Sequence, residues 1–319
     1  MKAPLRKLLA LLLAAASFAA AAAYPEKPVK LVVPYPPGGL TDAVARQVAG
    51  ALAERLKQPV VIENIAGGGG NIGAERAAKS PADGYTLYLG NNATVGINTL
   101  IYKKLGFDPI KDLAPVSLLA ESQTVLVVHP SVAANSVAEL IALAKAKPGA
   151  LNFGSTGQGG LSHLVGELFK TNAGIQMTHV AYKGTGPALN DLLGGQIQLM
   201  FNDTAVPHVK AGKLRALAAT GTKRWADLPD TPTMGELGYA GYETYNWFGL
   251  LVPAGTPAAL IAQLNRDTVA SMKEPAMQAW MQSRGAQAVS NSPEEFAAYI
   301  RKDLEKWTRV VKAVGIQPE

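Results

Sequence analysis

The 319-residue chain contains no cysteine. That absence excludes disulfides, thiol catalysis and a lipid-modified cysteine behind a leader, and it is compatible with an oxidising compartment. Net charge is small as well: the formal +6 includes Lys2, Arg6 and Lys7, which leaves +3 from Tyr24 onward. The basic residues are spread beside acidic ones and form no stripe interleaved with aromatics, so the pattern of a nucleic-acid binder is missing and the charge reads as an ordinary solvated surface. Beyond the N-terminal segment no apolar run approaches the roughly 18 to 20 residues that a membrane span requires.

The N-terminal segment itself has a basic start (Lys2, Arg6, Lys7), an apolar run from Leu8 to Ala16 and an Ala-x-Ala series from Ala19 to Ala23. This is the layout of a cleaved secretory signal peptide, with cleavage expected near Ala23 and the fold starting at Tyr24; the run is too short and too rich in alanine for an anchor. Nearly 300 residues then remain, and 48% of the chain is hydrophobic. That exceeds what one core usually takes, so two domains are expected.

Short apolar runs alternate with helical patterns, the signature of α/β units around mainly parallel sheets. Val29–Val33 reads as a buried strand ended by Pro34-Tyr35-Pro36-Pro37-Gly38-Gly39, followed by a helix over 41–57 with Val44, Val48, Leu52 and Leu56 on one face. Strands follow at 60–63 and 85–89, with a glycine loop at 67–70 and a short helix at 73–79 between them. After 116–120 the pattern runs again as a second set, through strands at 124–128, 151–153, 177–181, 197–201 and 214–218, with helices at 159–171 and 185–193. Another helix is opened by Ser136 with Glu139, a capping box. After a Pro/Gly-rich connection over 226–241 comes a strand at 248–252 and two helices. The last of these is signalled by Ser292, Pro293 and Glu295 at its start and Gly315 at its end.

Catalytic constellations are missing. Gly68-x-Gly70-x-x-Gly73 formally matches a dinucleotide fingerprint, but the next strand ends in Gly90-Asn91-Asn92 and not in the acidic residue that holds a ribose. The glycines read instead as a loop where the backbone passes close to something small, and no cofactor is expected. Gly154-Ser155-Thr156-Gly157 is not the Gly-x-Ser-x-Gly elbow of a hydrolase. The four histidines (His129, His163, His179, His208) have no metal-ligand spacing and read as packed or surface residues, so no enzyme and no metal site are expected.

What remains is a set of loops at strand ends, several leading into helices: 36–41, 67–73, 154–160 and 184–186. Ligands of open α/β sheets sit at such strand ends, and a helix N-terminus offers unpaired N–H groups to an anion. These loops contain hydroxyls, amides and glycines, with Lys183 beside them the exception. Micromolar binding needs about 8 kcal/mol. Hydrogen bonds to a charged group supply roughly 1.5 to 3 kcal/mol each, so four to six neutral donors from two domains suffice for a carboxylate.

In combination, six segments carry a resemblance: VVPYPPGGLTD (32–42), VIENIAGGGGNIGAE (61–75), ADGYTLYLG (82–90), NFGSTGQGGLSHLVGELF (152–169), HVAYKGTGPALNDLLGGQI (179–197) and WFGLLVPAGTP (247–257). From about Pro28 to its end the chain resembles the Bug/TctC family of periplasmic receptors for tripartite tricarboxylate transporters. The resemblance implies a type II periplasmic binding fold, two α/β lobes around a ligand cleft. Lobe I is then 24–122 with 247–319, and lobe II 123–246. It implies a carboxylate ligand (a di- or tricarboxylate, an amino acid or an aromatic acid) held by Tyr35, Pro36, Gly38, Gly39, Asn71 and Asn91 from one lobe. The other lobe would supply Ser155, Thr156, Gly157, Asp203 and Thr204. Asp42 is assigned to capping its own helix, because its charge would oppose a carboxylate. Tyr35 stands where phenylalanine is common in the family, and Asn202-Asp203-Thr204 falls at a strand end that varies between members, so these positions are expected to set ligand identity. A monomeric periplasmic protein handing its ligand to membrane subunits is the implied role; a receptor reporting to a membrane sensor kinase is the alternative.

Overall fold

The computed structural model describes residues 24–239, 241–316 and 318; the expected signal peptide lies outside the described residues. Among the described residues eleven strands form two sheets. β1 (Val29–Val33), β2 (Val60–Asn64), β3 (Thr86–Asn91) and β4 (Leu113–Gln123) belong to the first sheet; β5 (Val125–Val128), β6 (Asn152–Ser155), β7 (Thr178–Ala181), β8 (Leu199–Asn202) and β9 (Arg215–Ala219) make the second. β10 (Tyr245–Pro253) and β11 (Gln287–Ala288) return to the first, giving the orders β11-β4-β10-β3-β1-β2 and β7-β6-β8-β5-β9. The sheets are mixed: β10 lies antiparallel between β3 and β4, and β5 lies antiparallel between β8 and β9. Each of these strands arrives from the other sheet, so it enters its new neighbours against their direction.

Helices cover the sheets: α1 (Leu40–Leu56), α2 (Asn71–Ala78), α3 (Asn98–Ile101), α4 (Val137–Ala146), α5 (Leu161–Ala173), α6 (Thr185–Leu193), α7 (Val206–Lys210), α8 (Ala258–Met272), α9 (Pro275–Ser283) and α10 (Pro293–Val314). On α1 the expected stripe Val44, Val48, Leu52 and Leu56 is buried, with Ala45 and Ala49 beside it. Ser292 and Glu295 form the full capping box of α10, which ends at Gly315 in a left-handed conformation. At α4 only half of the expected box forms: Ser136 Oγ accepts from Glu139 N–H, while Glu139 Oε2 accepts from Asn135 N–H. The short π-helical turn over Ala93–Ile97, which continues into α3, and the two-residue β11 were not expected from the sequence. Among the described residues no helix is long and apolar enough to cross a membrane.

Three crossing segments join the sheets, and the hydroxyl of Thr220 ties them. It accepts Thr124 N–H at 2.9 Å and donates to Thr244 O at 2.9 Å, while Gly221 N–H donates to Gln123 Oε1. α10 braces the same region: Tyr299 OH donates to Glu121 at 2.6 Å, Trp247 Nε1 to Asp303 at 2.8 Å and Lys306 Nζ to Glu243 O at 2.7 Å. Trp307, Val310 and Val311 at its far end join the apolar cluster behind the second sheet.

Gly249 shows how tightly β10 is seated. A Cβ there would lie 2.0 Å from Phe296 Cζ, inside a fully buried cluster with Trp247. Gly249→Ala is therefore expected to destabilise by about 2 to 4 kcal/mol through overpacking. A lowered urea midpoint at unchanged slope checks it.

Candidate functional site

The βα loops of both sheets face one another across a cleft of about 670 Å³. One wall comes from the β1–α1 loop (Tyr35, Pro36, Pro37, Gly39, Thr41), Gly69 and the turn after β3 (Asn92, Ala93, Asn98). The opposite wall comes from 156–162, Gly184, Thr185 and the end of β8 (Phe201, Asn202, Asp203). Three helices begin on the cleft, α1 at Gly39, α5 at Gly160 and α6 at Gly184, and none has a side-chain cap. Their first N–H groups are free for a ligand, and the field at each terminus favours negative charge. Among the described residues no lysine, arginine or histidine lines the cleft. Anion binding here rests on neutral donors from both walls.

Of the residues expected at the site, the structure brings Tyr35, Pro36, Gly39, Thr156, Gly157 and Asp203 into the lining. The others stand behind it or beside it. Asn91 is buried; its Nδ2 donates to Tyr35 OH at 3.2 Å and its Oδ1 accepts from Thr94, so it orients Tyr35 while Asn92 lines the cleft. Burial pushes the Tyr35 phenol up. Asn71 Oδ1 accepts from Asn98 Nδ2 at 2.6 Å, and Asn98 also reaches Gly69 O, so Asn98 is the lining residue there. Gly38 and Thr204 face a second chamber of about 540 Å³ that shares Gly39 and Asp203 with the cleft. Leu40, Ala43, Val206 and Trp225 line that chamber, together with Lys210 and Arg284.

Ser155 has no exposed surface and supports the loop from within. Its Oγ lies 2.7 Å from His179 Nε2 and accepts Gly157 N–H at 3.2 Å. His179 stacks on His163 with ring centroids 3.8 Å apart, and His163 Nδ1 accepts Gly159 N–H at 3.0 Å. That acceptor role assigns a neutral His163. Burial lowers both imidazoles to about 4, helped by Lys170 at His163 and by His163 itself at His179. The histidines are thus packed residues, as expected, but they carry the loop that forms one wall.

Asp42 does not cap its helix; the N-cap is Gly39, and Asp42 lies in the first turn. Its buried carboxylate pairs with Arg46 and accepts from Gly38 N–H and Asn64 Nδ2, tying the β1–α1 loop to β2. The Arg46 hydrogen bonds, seconded by Asn64 and Gly38, hold it at about 2 against burial.

The glycine loop is a packing device. A Cβ on Gly73 would meet Ile65 O at 2.5 Å and Pro34 Cα at 2.9 Å; one on Gly70, at φ +95°, would meet Thr94 and Tyr35. The close neighbour is the protein's own backbone and the site tyrosine, and of these glycines only Gly69 touches the cleft.

Comparison with known proteins adds the decisive observation. The family model described as "Tripartite tricarboxylate transporter family receptor", TctC, matches residues 44–316. The chain belongs to the TctC family. It is 37% identical over 295 residues to Protein BugT of Bordetella pertussis, covering 92% of this chain and 90% of that protein. An R. palustris protein solved with adipate superposes with TM-score 0.83 at 38% identity, covering 93% of this chain and all of that one. MatC from Rhodopseudomonas palustris, solved with bound malate, superposes at 0.78 with 32% identity, covering 90% of this chain and all of that one. This TctC protein therefore has the two-lobed periplasmic binding fold of a solute-binding receptor, a non-enzymatic family.

Proposed function

We propose that the protein is a periplasmic receptor that captures one small carboxylate between two lobes, 24–122 with 247–319 and 123–246, and delivers it as a monomer to the membrane subunits of a tripartite tricarboxylate transporter. The observation that carries this reading is the convergence of three uncapped helix N-termini, from both sheets, on a cleft that no basic side chain lines among the described residues. Such a site suits a carboxylate bound by N–H and O–H donors. Tyr35, Pro36, Gly39, Thr156, Gly157 and Asp203 are the contacting residues in this proposal. Gly38, Asn71, Asn91, Ser155 and Thr204 hold them in place. The dicarboxylates bound by the neighbours in R. palustris support the ligand class. A ligand touching both walls is bound fully only when the lobes are together, so it shifts the population towards closure.

Calorimetric titration of the chain from Tyr24, stripped of ligand by partial unfolding, tests this against carboxylic, dicarboxylic, aromatic and amino acids. Micromolar binding of one acid is expected. At 100 times its dissociation constant that acid should add about 2.7 kcal/mol to stability. A folded, stripped protein that binds no acid contradicts the proposal.

A further inference from the structure

Among the described residues Asp203 is the one in the cleft lining with a formally charged side chain. It sits at the end of the β8 wall, where the cleft passes into the second chamber. No lysine, arginine or histidine forms an ion pair with it among the described residues; Lys210 of the neighbouring chamber pairs with Asp227, and the Arg284 guanidinium lies 5.3 Å from the Trp280 ring centroid. Its side-chain contact is a long one, Ser122 Oγ at 3.4 Å, and that hydroxyl already donates to Gly285 O at 2.9 Å. No hydrogen bond joins the adjacent amide to it among the described residues; Asn202 Oδ1 accepts the N–H and hydroxyl of Thr204. An ionised carboxyl group has acceptor sites for about four hydrogen bonds. Here the backbone N–H groups of Asp203 itself and of Thr204 approach it, but no side-chain donor other than the distant Ser122 hydroxyl meets it among the described residues.

The helix N-termini and the carboxylate thus impose opposite demands on one ligand. Gly39, Gly160 and Gly184 call for negative charge, while Asp203 repels it and calls for a donor. We propose that Asp203 is the specificity-determining residue of the cleft, and that the receptor prefers a ligand carrying both a carboxylate and an ammonium group, an amino-acid zwitterion, over the matched acid without the ammonium. The inference rests on the carboxylate-receptor reading above and names the ligand class for that same site.

The test uses competition calorimetry on the chain from Tyr24, with the L-amino acids and, for each, the acid that has hydrogen in place of the ammonium group. The wild-type protein is expected to bind its best amino acid at least tenfold more tightly than the matched acid. In Asp203→Asn and in Asp203→Ser that ratio should fall to within about threefold at an unchanged melting temperature without ligand; two variants are used so that a folding defect in one does not decide the matter. A wild-type preference for the deaminated or dicarboxylic acid overturns the proposal, as does an amino-acid preference that survives both substitutions. If no acid of either kind binds the wild type, the receptor reading itself falls, and the inference falls with it.

Discussion

Between pH 6.5 and pH 4 the protein is expected to lose on the order of 3 kcal/mol of stability through His163 and His179 alone. Both imidazoles titrate near 4 in the folded protein because they are buried against one another, Phe153 and α5. In the unfolded chain they titrate near 6.5. The unfolded state therefore takes up protons first, and stability is complete above pH 6.5 and drains away as the pH falls towards 4. Two independent groups would give about 6 kcal/mol; coupling within the stacked pair and the partial exposure of His179 reduce that figure. Burial pushes the carboxyl groups of Glu121, Asp203 and Asp303 up, so they act in the opposite sense as they take up protons, but none of them touches the pair. Asp42 acts lower still, between about 4 and 2, where its ion pair with Arg46 is lost. The consequence for function is specific. A protonated His163 cannot accept Gly159 N–H, and two imidazolium rings stacked 3.8 Å apart repel, so the Ser155–Gly160 wall loosens and ligand affinity falls over the same pH range. Urea midpoints at half-unit steps, for wild type and for His179→Gln, check this. The slope should be roughly halved in the variant, and a flat profile from pH 6.5 to 5 in wild type would contradict the argument.

The second large effect separates two neighbours. Ser155→Ala should cost about 1 to 3 kcal/mol of stability, because it leaves His179 Nε2 and Gly157 N–H without a partner in the interior. It should also lower ligand affinity at least tenfold through the displaced loop. Thr156→Val should change stability by less than about 1 kcal/mol, since Ser162 retains its bond from Thr156 N–H. It should nevertheless weaken binding by roughly 1.5 to 3 kcal/mol, the value of a hydroxyl donated to a carboxylate. Chemical unfolding and calorimetry on both variants read the two quantities separately. Equal stability losses in the two variants would contradict the assignment of Ser155 to the interior and Thr156 to the cleft.

That pair also shows what could be read from the residues and what could not. Four of the six quoted segments (32–42, 61–75, 152–169 and 179–197) contribute residues to the cleft lining, and local signals such as the Ser292 capping box and the Val44–Leu56 stripe stand where the pattern put them. Ser155 and Asn91, expected to contact the ligand, lie behind the cleft lining, one position before the lining residues Thr156 and Asn92. At the end of a strand one position reverses the face, since side chains alternate. Phe153 carried the missing signal: it is a core residue two positions before Ser155, which puts Ser155 on the same inward face, next to the ring of His179. Asn98 was out of reach for a different reason. It meets Gly69 and Asn71 only because an irregular π-helical turn follows β3, and no periodicity announces such a turn. The insertion of β10 between β3 and β4 is likewise a long-range pairing that local pattern does not encode.

Closure of the two walls on one ligand is the centre of the account, and a chain without cysteine offers a direct way to measure it. Ile72 and Lys183 are exposed, border opposite walls and do not line the cleft. Ile72→Cys and Lys183→Cys in one chain provide the molecule's only two thiols, and spin labels on them report the distance across the cleft by pulsed electron resonance. Adding the acid identified by calorimetry should move the distance distribution to shorter values and narrow it, in proportion to occupancy. A distribution that stays unchanged when calorimetry shows the acid fully bound would contradict capture between the lobes.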